Sequence, residues 1–243
     1  NLFAGSRIVV PDVAGTDVEM VQETNYPWEG NVAITVNPAV RATFAINIRV
    51  PTRDVSTLYA ATPGADGLSS LRVNGRAVTP KIVNGYASIT RAWSAGDTIE
   101  FVVPMRVQRV HAHERITANA GRVALRYGPL VYNIEQVDQD IDGVLAPDAP
   151  LATQWRGDLL GGVMVITGAF TDGRPMMAIP HYARFNRQPP VPPPAPRPSA
   201  IAIASAAAEA VAAGRPLPAP TAPSASSIVW IRERSAEERS SGS

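Results

Sequence analysis

From residue 7 to about residue 137, apolar and polar residues alternate over short runs broken by Gly, Asn, Asp and Pro. Nothing else in the sequence narrows the fold as much as this period of two. A strand sends successive side chains to opposite faces, so each run has one apolar face and one wet face. Val32, Ile34 and Val36 share a side, as do Phe44, Ile46, Ile48 and Val50 in TFAINIRVP, and Ile99, Phe101, Val103 and Met105 in DTIEFVVPM. Half-buried strands of this kind belong to antiparallel sheets resting on a core. Asn74-Gly75 and Asn84-Gly85 lie between such runs, and both residue types tolerate the positive φ of a type I′ hairpin. With no helix-period segment of useful length, the expectation is all-β: two consecutive antiparallel β-sandwich, jelly-roll-like domains.

A boundary is placed near Pro104 to Val110, giving a first domain over 7–106 and a second over 107–187 plus 228–233. GRVALRYGPLVYNI reads as two short strands separated at Gly128-Pro129, because proline cannot donate to a ladder. LGGVMVITGAF and RPMMAIPHYARF supply further strands. SIVWIRE reads as a final strand with Ile228, Trp230 and Arg232 on one face. Residues 188–227 differ in kind: QPPVPPPAPRP favours a polyproline II path, and the Ala-rich stretch after it favours a short marginal helix. This is a Pro/Ala-rich insertion, and 234–243 is a polar tail expected to be disordered.

At 243 residues with 45% apolar and 18% charged residues, the chain can bury two cores without covalent staples. A formal charge of +1, with scattered arginines, gives no field that gathers nucleic acid or an anionic membrane. No run approaches the roughly 18 apolar residues of a membrane span. The absence of cysteine excludes disulfides, thiolate zinc sites and a cysteine nucleophile. The chain begins NLFAGS without Met and is read as a cut piece, with a periplasmic or extracellular location favoured over the cytoplasm.

Four sets of residues could carry chemistry. Glu135 and Asp138 invite comparison with paired glycosidase acids, which stand roughly 5 to 9.5 Å apart. In one regular strand, however, residues three apart point to opposite faces, so a scaffold role is expected, with one acid pairing an arginine and the other entering a turn. His111 and His113 would share a strand face and offer two metal ligands, with a third needed from Glu114, His181 or a distant aspartate; exposed strand histidines are the expectation. Tyr26, Trp28, Tyr86 and Trp93 could form a sugar-stacking platform, although their Pro and Gly neighbours favour corner and core packing. No Gly-rich phosphate loop, G-x-S-x-G elbow or H-E-x-x-H pair is present.

QETNYPWEGNVAITV, FAINIRVP, LRVNG, NGYASITRAWSAGDTIEFVVPMRV and GRVALRYGPLVYNIEQVD, in that order, resemble the C-terminal half of a β-L-arabinofuranosidase of glycoside hydrolase family 127. AIPHYARFNR at 178–187 and VWI at 229–231 resemble the family's last strands, and residues 1–6 resemble the end of the linker from its catalytic domain. The 188–227 insertion departs from the pattern. The resemblance implies a three-part enzyme in which an (α/α)6 barrel carries a zinc-held cysteine nucleophile for retaining hydrolysis, followed by two β-sandwiches. On that reading this chain holds only the sandwiches, with no catalytic, cofactor or metal residue of its own. Zinc belongs to the missing domain, and the barrel of the same polypeptide is the main partner. Arabinose-containing oligosaccharides and a second copy of the chain are further partners to test. The competing functions are a free-standing carbohydrate-binding module using Tyr26, Trp28, Tyr86 and Trp93, and a purely structural surface protein.

Overall fold

A computed structural model describes residues 3–52, 56–187 and 227–233. The first unit contains β1 (Ser6–Val13), β2 (Thr16–Thr24), β3 (Asn31–Pro38) and β4 (Ala42–Arg49), then β5 (Tyr59–Thr62), β6 (Ser70–Val73), β7 (Arg76–Ala77), β8 (Ile82–Val83), β9 (Tyr86–Trp93) and β10 (Asp97–Val102). A six-stranded sheet in the order β1-β2-β3-β10-β6-β7 packs on a three-stranded sheet, β4-β9-β8. The predicted apolar faces meet between them: Val36, Ile99 and Val103 are fully buried against Ile46, Ile48 and Trp93. Both Asn-Gly steps turn as anticipated, with φ of 50° and 74° at Asn74 and Gly75, and 51° and 77° at Asn84 and Gly85. Gly30 meets Val103 backbone to backbone; a Cβ there would sit 2.0 Å from the Val103 oxygen. Phe3, from the expected linker, is a core residue, edge-on to Tyr26 and Phe101 at 5.3 and 5.6 Å.

The second unit comprises β11 (Val107–Ala112), β12 (Arg122–Tyr127), β13 (Leu130–Glu135), β14 (Val144–Leu145), β15 (Ala152–Arg156), β16 (Val163–Ala169), β17 (Pro175–Pro180), β18 (Ser227–Ile228) and β19 (Ile231–Glu233). They form a ten-stranded sheet with the path β14-β19-β12-β13-β17-β16-β15; β11 pairs β12, β18 pairs β13, and β5 crosses over from the first unit to pair β11. Val123, Ile134, Leu145, Ile166, Met176 and Ile231 come from six of these strands yet share one core, so the sheet curls around itself. All pairs are antiparallel except β14 with β19. The all-β architecture of packed antiparallel sheets therefore holds.

SIVWIRE is not one strand. A bend at Val229 and Trp230 separates β18, where Ile228 opposes Ile134, from β19, where Ile231 opposes Val123. The bend resets the side-chain parity, so Ile231 is buried, Arg232 is exposed beside Asp142, and Trp230 leans on Tyr59 at 5.9 Å. The expectations placed on 188–226 and on 234–243 lie outside the described residues. Among those described, no helix is long and apolar enough to cross a membrane.

The two units meet at the turn that follows β2. Trp28 N–H and Glu29 N–H donate to the Asn25 carbonyl at 2.8 and 3.2 Å, which closes the turn and aims Trp28 at the second unit. There Trp28 packs with Val163, Val165 and Ile179, and the Tyr127 hydroxyl donates to its carbonyl at 3.2 Å. Burial, then the negative charge of Glu29, raises the Tyr127 pKa, so this hydroxyl keeps its proton to donate.

Candidate functional site

The two acids of the Gly-Pro stretch converge, contrary to the opposite-faces expectation, because β13 stops at Glu135. A turn closed by the Asp138 N–H on the Glu135 carbonyl, 3.1 Å, swings Asp138 back. What they converge on is Arg187, which reaches Asp138 Oδ1 at 2.7 Å and Glu135 Oε2 at 2.8 Å. The other Glu135 oxygen accepts the Phe185 N–H at 2.7 Å, and Glu135 is fully buried. With both carboxylates turned onto one guanidinium and Glu135 closed to solvent, neither is placed to protonate or attack a sugar.

His111 lies on β11, but His113 falls beyond the strand end, where its Nδ1 accepts the Arg115 N–H at 3.2 Å. Each imidazole thus has its own local partner. His111 Nε2 contacts Glu233 Oε2 at 2.7 Å, while Arg109 donates to Glu233 Oε1 at 2.8 Å and to the Ala149 carbonyl at 2.9 Å. A carboxylate already shared with a guanidinium has little charge left for a cation, so this cluster does not fit the zinc that the resemblance implies. Among the described residues no three His, Cys, Asp or Glu side chains converge as a metal site, and Glu114 and His181 do not join His111.

The four aromatics do not form one platform. Trp93 is fully buried, and its indole N–H donates to the Phe44 carbonyl at 3.1 Å, which leaves no face for a sugar. Tyr26 packs on Phe3 in the first core, and Tyr86 is covered by the Arg49 guanidinium, 5.3 Å from its ring centre. Trp28 borders an open cleft of about 300 Å³, and its partner there is Trp155 at 5.8 Å and 67°. Sequence reasoning missed Trp155. It sits on β15, an edge strand with exposed residues on both faces, so no alternation marks it; a tryptophan in the polar run ATQWRGD was the available signal.

Comparison with known proteins gives these arrangements a context. Residues 1–105 match the family model of the β-L-arabinofuranosidase GH127 middle domain, and residues 107–191 match that of the glycoside hydrolase family 127 C-terminal domain. A curated non-reducing end β-L-arabinofuranosidase of Bifidobacterium longum subsp. longum is 37% identical over 162 residues, which is 62% of this chain and 22% of the relative. The crystal structure of a GH127 β-L-arabinofuranosidase from Geobacillus stearothermophilus T6 aligns with a TM-score of 0.67 at 30% identity, covering 96% of this chain and 33% of its own. Another solved GH127 β-arabinofuranosidase gives 0.68 at 26% identity, covering 77% and 32%. The chain thus spans about a fifth of the curated relative and a third of the solved ones. With both domain matches in order along the sequence and the fold agreeing, the chain belongs to glycoside hydrolase family 127, of which it carries the middle and C-terminal domains.

Proposed function

We propose that this chain is the non-catalytic β-sandwich portion of a retaining glycoside hydrolase acting on β-L-arabinofuranosides, and that it supports a catalytic barrel in the same polypeptide. The observation that carries the reading is the pair of adjacent domain matches, middle then C-terminal, in a chain about a third as long as the solved enzymes. Two features of the chain support it. It has no cysteine to serve as a thiolate nucleophile, and the convergent acids Glu135 and Asp138 are spent on Arg187. On this reading zinc and the reacting groups belong to the barrel, and the parent enzyme works outside the cytoplasm, where plant polysaccharides and glycoproteins are met. The test is turnover of p-nitrophenyl β-L-arabinofuranoside. The chain alone is expected to show none above buffer, and the same chain joined to its helical domain is expected to turn over. Hydrolysis by the isolated chain would overturn the proposal.

A further inference from the structure

The geometry points to a saccharide-binding trough on the outer face of the first sandwich, ending at the Trp28–Trp155 pair. One rung across four strands makes its floor: Glu23 opposes Ala33, Ala33 opposes Glu100, and Glu100 opposes Arg72. Directly opposed residues share a sheet face, so the small Ala33 leaves a hollow with a carboxylate on each side. This hollow, of about 470 Å³, extends past Asn31 and Ser70 to Asn25 and Glu29. Asn25 and Glu29 also wall the cleft of about 300 Å³ that holds Trp28 and Trp155, so the polar and aromatic ends share a border.

The Trp155 ring is held in place. Its six-membered edge lies against the Gly162 backbone, where a Cβ would come within 2.7 Å, and Trp28 packs against it at 67°. Yet Trp155 is 51% exposed. A fixed indole that keeps an open face loses little entropy when a ligand stacks on it.

The lining also selects the ligand. A sugar ring presents an apolar C–H face and a rim of hydroxyls, which suit an indole and a row of carboxylate, amide and guanidinium groups. Glu23, Glu29 and Glu100 outnumber Arg72, so the trough repels phosphates, uronates and anionic surfaces and favours a neutral oligosaccharide. Binding here needs no catalysis and is independent of the scaffold reading.

The experiment is calorimetric titration of the chain with neutral arabinan oligosaccharides, with tryptophan fluorescence read in parallel. Saturable binding is expected. Trp155→Ala should weaken it about fivefold to tenfold, the loss of one stacking contact. Ala33→Leu should fill the hollow and weaken binding at least as much, and because Ala33 lies on the solvent face it reads the site even if Trp155→Ala folds poorly. Tyr86→Ala, on the other sheet, should leave binding unchanged. No saturable binding by the unaltered chain, or binding indifferent to Ala33→Leu, overturns the inference. A chain that binds no saccharide and hydrolyses nothing would sink the trough and leave the scaffold reading standing.

Discussion

Arg187 carries more of the second unit than its place after the last long strand suggests. Glu135 is fully buried, and a buried carboxylate is tolerated only when its charge is met and its lone pairs are filled. Arg187 and the Phe185 N–H meet those demands, and Arg187 also holds Asp138 in the turn after β13. Removing the cation leaves an uncompensated charge in the interior, a loss that is larger than the pair's net worth. Arg187→Ala is therefore expected to lower unfolding stability by about 3 kcal/mol or more in urea denaturation. Glu135→Leu combined with Arg187→Ala should regain most of it, since the buried charge is then gone. A double variant no more stable than Arg187→Ala would show that the charge is not the cause.

Between β6 and β10 a polar clasp ties a hairpin turn to the start of a core strand. Asp97 accepts the Ser94 N–H at 2.9 Å and the Asn74 amide at 2.8 Å, while Asn74 Oδ1 accepts the Thr98 N–H at 2.7 Å. The Ser94 backbone bond, then the Asn74 amide and the Arg91 and Arg41 charges, outweigh burial and hold the Asp97 carboxyl below its ordinary 3.8. Since the folded pKa is the lower one, this stabilisation is fully present above about 3.8 and is lost as pH falls through the depressed folded value. Asp97→Asn is expected to lower the melting temperature at neutral pH and to flatten its decline below about pH 4, as read by thermal melts across pH. Equal acid slopes for the two proteins would count against the clasp.

The elements also show what was legible in the sequence. Where a strand has one dry face, as β3, β4 and β10 do, the alternation gives both the strand and the residues that are buried. The Asn-Gly steps give two hairpins, because few residue pairs accept two positive φ values in a row. Pattern could not reveal β15, which is exposed from Ala152 to Trp155, or the bend that splits β18 from β19. Nor could it show that β5 leaves its own unit to pair β11. These depend on partners far away in the chain, and so does the candidate trough: Glu23, Ala33, Glu100 and Arg72 come from four strands, and Trp155 comes from the other unit. Of the aromatics named from sequence, only Trp28 borders it, because local Gly and Pro neighbours cannot tell a buried ring such as Trp93 from an exposed one.

The surface of the assembled sheets is unevenly apolar, and the unevenness bears on how the isolated chain behaves. On the outer face of the second sheet, Tyr59 and Val131, 40% and 42% exposed, border a groove of about 330 Å³ with Val110, Val229 and Trp230, and Leu58 is exposed beside Tyr59. Apolar residues gathered on one face mark a surface that is covered in its working setting. In the proposed parent enzyme the barrel is the cover, and an interface of standard size would bury roughly 800 Å² on each side. Without that cover, two copies of the chain can bury the same residues against each other. Light scattering should therefore show a mass that rises with concentration. Val131→Glu should hold the chain monomeric: it puts a charge into the groove while facing Arg126, its cross-strand neighbour, so the strand pairing survives. A clean monomer for the unaltered chain at high concentration, or self-association that persists in the variant, would mean that this face is not the one a catalytic barrel would cover.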